Sequence, residues 1–152
     1  MAQTTGAFTL SNQKIEISTS GWPTGAIDIS GVANSLEISG GDTSIVKAFT
    51  FGTGTPILAP GTKDDLKIKA KMLYSENTDD NYATIAAAYE ATPSTPVQLR
   101  FSPKGGTTGN FRFTTGTGYI VSHPYPSGDA EGKDFATYEV TFDVPSITRS
   151  TI

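Results

Sequence analysis

The stretch DDLKIKAKMLYS, residues 64–75, alternates with a period of two. Leu66, Ile68, Ala70, Met72 and Tyr74 fall on one side of an extended chain, and Lys67, Lys69, Lys71 and Leu73 fall on the other. Successive side chains of a strand point to opposite faces, so one face belongs to a core and the other carries a stripe of lysines. Residues 135–144, FATYEVTFDV, mirror this arrangement. Ala136, Tyr138, Val140, Phe142 and Val144 lie on one side and Thr137, Glu139, Thr141 and Asp143 on the other, giving a core face and an anionic face.

Outward from these strands, shorter runs of the same period cover Lys14 to Ser18, Ala26 to Ser30, Ser35 to Ser39 and Ser44 to Phe51, separated by Gly-rich turns. Pro96 to Phe101, Asn110 to Thr115 and Tyr119 to Ser122 continue the series, with a turn at Pro103-Lys-Gly-Gly106. Between the two halves, Tyr82, Ile85, Ala86 and Tyr89 recur at helical spacing behind Asp79 and Asp80, which are suited to an N-cap and first turn; Pro93 ends the segment. The expected fold is therefore mainly β: an antiparallel sandwich or barrel of seven or eight strands, flanked by one helix over about residues 79–91. A single domain is expected over 1–152, with polar arms at 1–13 and 145–152 and a long loop at about 40–63.

Composition agrees with that dress. Hydrophobic residues make up 36% and charged residues 17% of the 152 residues, so hydroxyls rather than charges cover much of the surface. No apolar run approaches the roughly 20 residues that span a bilayer, and MAQTTGAFTL has no basic leader region, so neither membrane insertion nor export is expected. The absence of cysteine excludes disulfides, thiolate metal sites and cysteine nucleophiles. A net charge of −4 argues against tight nucleic-acid binding.

Chemistry-bearing constellations are sparse. His123, the only histidine, stands between prolines in a strand exit, with no serine-histidine-aspartate arrangement to be argued around it. The acidic turn SGDAEGKD, 127–134, is superficially similar to a calcium loop but lacks the EF-hand spacing. Gly-Thr-Gly at 52–54 and 116–118 lacks the residues of a phosphate-binding loop and is assigned to turns. Glu139 and Asp143 lie about 13 Å apart along one strand, too far for a glycosidase pair. No cofactor or metal is expected. Trp22, Tyr119 and Tyr125 could contribute to a sugar-binding platform, which keeps a carbohydrate-binding or adhesin-type sandwich as the alternative.

Two surface features call for partners. The lysine stripe suits a solvated or ion-paired strand face, or an ion pair across a subunit contact, better than a phosphate-binding surface. In GTGTPILAPGTK, 52–63, Ile57 and Leu58 sit between Pro56 and Pro60, where an apolar tip on a stiffened loop either folds back on its own core or meets another subunit.

The order of parts resembles the tail tube (major tail) proteins of long-tailed bacteriophages of the siphovirus type. The resemblance rests on Asp28-Ile-Ser-Gly31, VANSLEISGGD at 32–42, the long loop and lysine-rich strand, Met72-Leu-Tyr-Ser75 before the helix, VQLRFSP at 97–103 after it, the 109–120 strands, and TYEVTFDVPSIT at 137–148. The fold is similar to type VI secretion tube proteins as well, and the resemblance extends to contractile-tail inner tubes and gene transfer agents. It implies a non-enzymatic virion protein, assembled in the host cytoplasm, that forms stacked, hexameric rings around a lumen through which DNA passes without specific binding. Its implied partners are further copies of itself and the tape measure, tail tip and tail terminator proteins. On this reading Pro56, Ile57, Leu58 and Pro60 contact an adjacent ring. Lys67, Lys69 and Lys71 are expected at subunit contacts or outside, and Glu37, Glu139 and Asp143 in the lumen. The outer surface is expected to be smooth, without the immunoglobulin-like domain that many relatives append.

Overall fold

A computed structural model describes residues 10–77 and 81–152. Most of the N-terminal arm and the Asp79/Asp80 cap lie outside the described residues. A short 3-10 turn, Leu10–Asn12, leads into β1 (Lys14–Ser18), β2 (Ala26–Asp28), β3 (Ala33–Gly40), β4 (Thr43–Thr50), β5 (Thr53–Lys63) and β6 (Leu66–Leu73). Helix α1 (Tyr82–Glu90) follows, and then β7 (Gln98–Ser102), β8 (Phe111–Thr115), β9 (Tyr119–Ile120), β10 (Thr137–Val144) and β11 (Ile147–Thr151).

The strands form a five-stranded sheet in the order β11-β8-β7-β1-β2, a four-stranded sheet in the order β3-β6-β10-β9, and a separate ribbon of β4 and β5. Every pairing is antiparallel. The core lies between the two larger sheets: Ile15, Ile17, Leu99 and Phe101 come from one, and Ile68, Met72, Val140 and Phe142 from the other. Helix α1 closes one side with buried Ile85 and Ala88, and its Tyr82 ring stands edge-on to Tyr138 at 5.0 Å and to Tyr74 at 4.9 Å. The expected sandwich with a flanking helix is what forms, with eleven strands among the described residues instead of seven or eight.

Two of the additional strands, β5 and β11, lie where a loop or an arm was expected, while β4 falls on the expected run Ser44 to Phe51. Residues 40–63 are not a loop: β4 and β5 make a long two-stranded ribbon joined at Phe51 and Gly52. Pro56 and Pro60 lie within β5, although proline cannot donate to a ladder. Each strand of an isolated ribbon has one unpaired edge, and the prolines fall at or next to the two register shifts, between Ala48 and Thr50 and between Thr43 and Ile45, where no ladder bond is lost. Residues 145–152 are likewise not a free arm. After Pro145 ends β10, Ile147 to Thr151 cross to the other sheet and pair with β8, Ile147 opposite Thr115 and Thr151 opposite Phe111. The β-branched Ile147, Thr148 and Thr151 favour that extended edge.

Gly40 and Gly41 make the exit from sheet to ribbon. Both hold positive φ, +80° and +75°, and a Cβ on Gly40 would collide with the Asp65 carbonyl oxygen. Gly118 is needed for another reason: the backbone crosses so close to Asp143 that no side chain fits.

Ser30 locks β1 to the end of β2. Its hydroxyl accepts from the Ile15 amide at 2.8 Å and donates to Asp28 Oδ1 at 2.6 Å, while its own amide donates to the same oxygen at 2.9 Å. Burial pushes the Asp28 carboxyl up, but the two Ser30 hydrogen bonds, helped by the charge of Lys14, outweigh it and hold the group below its ordinary value. A depressed carboxyl stabilises the fold above its unfolded pKa, about 3.9, and loses that contribution as pH falls through the folded value.

Two predictions follow from this architecture. Phe142, fully buried, should cost about 3–5 kcal/mol of unfolding free energy when truncated to alanine, measured by urea titration. Ser30→Ala should be destabilising at neutral pH by a margin that narrows as pH drops below about 4; a margin independent of pH would show that Ser30 does not act through Asp28.

Candidate assembly surfaces

The β6 lysines and the three candidate carboxylates share one surface. Across the four-stranded sheet, Lys71 stands between Ser35 of β3 and Glu139 of β10, Lys69 between Glu37 and Thr141, and Lys67 between Ser39 and Asp143. Outward positions of adjacent antiparallel strands coincide, so the cationic and anionic stripes interleave. Lys69 Nζ reaches Glu139 Oε1 at 2.9 Å, and this hydrogen bond, with the Glu139 and Glu37 charges, raises the Lys69 ammonium above its ordinary pKa. Three lysines against three carboxylates leave the outward strand positions without net charge. The lysines therefore cannot be assigned to one surface and the carboxylates to another: both go wherever this face goes.

Among the described residues, the sheet ends on unpaired strand edges at β3 and β9. Ile38 on β3 and Tyr119 and Val121 at β9 are exposed there. Such edges are templates for pairing with another chain.

The ribbon is the largest apolar exposure. Along β4, Ile45 and Phe49 point to one side and Val46 and Ala48 to the other; register places Leu58 and Pro60 with the first set and Ile57 and Ala59 with the second. Ile45, Val46, Ile57 and Leu58 are each 55–60% exposed, Phe49 73%, and Phe51 at the tip is fully exposed. Ile57 and Leu58 do not fold back on the core. Pro56 is half-buried and Pro60 exposed. Isolated two-stranded ribbons are marginal in water, and among the described residues nothing covers either face of this one.

The remaining sequence candidates are dispersed. Tyr89 Oη and His123 Nδ1 are 2.8 Å apart, and Tyr125 stacks on the His123 ring at 5.5 Å. Trp22 lies over Arg100 on the five-stranded sheet and Tyr119 sits on β9, so the three aromatics of the suggested platform are not brought together. In the 127–134 turn, Asp129 Oδ1 accepts from the Glu131 amide at 3.0 Å and Lys133 pairs with Glu131. Among the described residues no three His, Cys, Asp or Glu side chains gather as a metal site.

No family model matches the sequence, and no curated protein matches it. Solved structures match over nearly its whole length. A chain of the extended-state sheath–tube complex of an extracellular contractile injection system, PVC, superposes with a TM-score of 0.69 at 15% identity, covering 98% of this chain and 95% of that one. The SPP1 tail tube, solved by solid-state NMR and cryo-EM, gives 0.66 at 13% identity over 93% of this chain and 78% of that one. The tail of a gene transfer agent particle, refined helically with C6 symmetry, gives 0.64 at 16% identity over 96% and 99%. The chain has the tail-tube fold. At such identities the likeness resides in backbone architecture and not in individual side chains.

Within the tail-tube fold, two features escaped the sequence reading. The pairing of β11 was masked by Pro145, although Ile147, Arg149 and Thr151 already alternate with hydroxyl residues. The Trp22–Arg100 contact joins a loop to a strand 78 positions later, a separation that no local pattern reveals.

The Lys69–Glu139 pair is open to a direct test. In Glu139→Gln the Lys69 ammonium should titrate at lower pH, followed by NMR of its ε-carbon, with thermal stability unchanged, because both side chains are about half exposed. An unmoved titration would show that the pair does not persist in solution.

Proposed function

We propose that this chain is a structural subunit of a viral or virus-derived tail, assembling with copies of itself into stacked rings that form the tail tube, and that it performs no catalysis. The observation that carries the reading is the ribbon at 43–63: a segment apolar on both faces, exposed in the isolated chain, within a molecule of tail-tube fold. Burial against neighbouring copies is the physical remedy for such a segment. Pro56, Ile57, Leu58 and Pro60 are assigned to that contact, between successive rings.

Ring closure uses the free edges. Pairing β3 of one copy with β9 of the next turns the four-stranded sheets into a continuous barrel and removes the edges that otherwise invite aggregation. Six copies per ring is the proposed number, supported by the sixfold symmetry with which the gene transfer agent tail was refined. The charged face of the four-stranded sheet is assigned to the bore. Interleaved lysines and carboxylates present a passing polyanion with little net attraction, so DNA moves through the lumen without being held. A tape measure protein in the bore and terminator and tip proteins at the tube ends are the proposed partners, with the assembled protein in the virion tail after assembly in the host cytoplasm. Related assemblies include a sheath/tube terminator complex and a tube-terminating cap.

Negative-stain electron microscopy of the purified, concentrated protein should show rings or striated tubes with a central hole. Ile57→Ser/Leu58→Ser should abolish the tubes while shifting the unfolding free energy of the free subunit by less than about 0.5 kcal/mol, since both side chains are exposed in the isolated chain. Tubes of normal length from the double variant would remove the ribbon from the ring contact.

A further inference from the structure

The outer face of the five-stranded sheet, across the core from the lysine-bearing sheet, carries a concentration of unanswered hydrogen-bond donors. Asp28, Glu16, Arg100, Thr114 and Thr148 form one row across β2, β1, β7, β8 and β11. Arg112 lies on the same face two positions along β8. The loop between β1 and β2 lays Trp22 on this surface, with the Arg100 guanidinium carbon 3.8 Å from the indole centroid.

Three donors here are buried with no acceptor among the described residues: the indole Nε1–H of Trp22 and the Nε–H groups of Arg100 and Arg112. Buried donors in folded proteins nearly always have partners, so three together mark a place where an acceptor belongs. The carboxylate in reach, Glu16, is 2.9 Å from Lys14 but 3.9 Å from Arg100, beyond hydrogen-bond distance. The guanidiniums also burden each other: burial first, and then the charge of Arg112, push Arg100 below its ordinary pKa. Those three atoms are closed to solvent, but the guanidiniums themselves stay partly exposed, and an oxyanion meeting their outer N–H groups would answer the unpaired positive charge and relieve the repulsion.

We propose that Arg100, Arg112 and Trp22 form a docking site for carboxylate side chains presented by a second copy of this chain. A nucleic-acid backbone fits poorly, because Glu16 and Asp28 occupy the same row and a phosphate chain needs an uninterrupted run of cations. Charge complementarity selects the occupant. The exposed turn at 127–134 carries Asp129, Glu131 and Asp134 against Lys133, a net charge of −2 from three acids and one base, and it sits beside Lys71 and Leu73 on the other sheet. Docking it on the arginine pair of a neighbour gives a planar, forked contact that lysine cannot reproduce. The inference rests on the self-assembly proposed above.

Trp22 is the sole tryptophan and sits in the site, so its emission reports occupancy. In the full-length protein, Trp22 emission should change in step with assembly as concentration rises. Arg100→Gln/Arg112→Gln should raise the half-assembly concentration at least about tenfold and abolish the emission step, and Arg100→Lys/Arg112→Lys should not restore it. To separate this from misfolding, a synthetic peptide of residues 127–136 added to wild-type subunit should shift Trp22 emission, and the same peptide with Asp129, Glu131 and Asp134 replaced by their amides should not. Equal responses to the two peptides, or no response to either, would overturn the site. Tubes forming from the glutamine variant at wild-type concentration would overturn it too while leaving the tube assignment intact. A wild-type protein that forms neither rings nor tubes would remove the tube assignment instead.

Discussion

The eight-residue ladder between β6 and β10 is the constraint on which the rest of the molecule depends. It pairs Leu73 with Thr137 through to Leu66 with Val144 without a bulge. On its inner side Ile68 faces Phe142, Ala70 faces Val140 and Met72 faces Tyr138, all fully or almost fully buried. On its outer side Lys67 stands opposite Asp143 and Lys71 opposite Glu139. A slip of one residue would turn three lysines into the core and the apolar set into solvent, a loss that no other contact in the chain could offset. Register is thus fixed twice, by burial on one face and by charge on the other.

With β6 and β10 central, the remaining geometry is forced. The edges of that sheet fall on β3 and β9, and β3 continues past the core through Gly40 and Gly41, whose positive φ values swing the chain out into the ribbon. The ribbon gains nothing from the core that the ladder organises. Its apolar side chains lie on both faces, a pattern useless for covering one core and well suited to insertion between two surfaces. Helix α1 has the opposite character: its Tyr82 ring packs on Tyr74 and Tyr138 and its Tyr89 on His123, contacts that stabilise the subunit itself.

The sequence made the central strands legible because each is half-buried, which imposes strict alternation; Leu66 to Tyr74 and Tyr138 to Val144 could be read residue by residue. Legibility failed where one-sided burial fails. Ile57 and Leu58, between Pro56 and Pro60, carry no strand alternation because neither ribbon face is buried among the described residues, so only the β4 half of the ribbon could be read as a strand. The interleaving of Lys69 with Glu37 and Glu139 was hidden for a different reason: each stripe was plain, but which strands lie side by side is a property of topology. Arg100, Trp22 and Arg112 were unreadable on both counts, being single residues on three elements.

These failures share a cause that bears on assembly. A residue pattern that serves one chain's core is periodic in that chain, whereas a pattern that serves contacts between chains is periodic only in the assembly. The ribbon supplies non-directional burial, which favours association but specifies no orientation. Orientation must come from directional groups: the backbone edges of β3 and β9, and polar donors such as those around Arg100. The four-stranded sheet's charged face contributes less to either, since its lysines and carboxylates balance and Lys69 is already paired with Glu139. In the proposed tube, a subunit built this way has a self-sufficient core and is still incomplete, because the surfaces assigned to association energy and those assigned to direction are both left unfinished until another copy arrives.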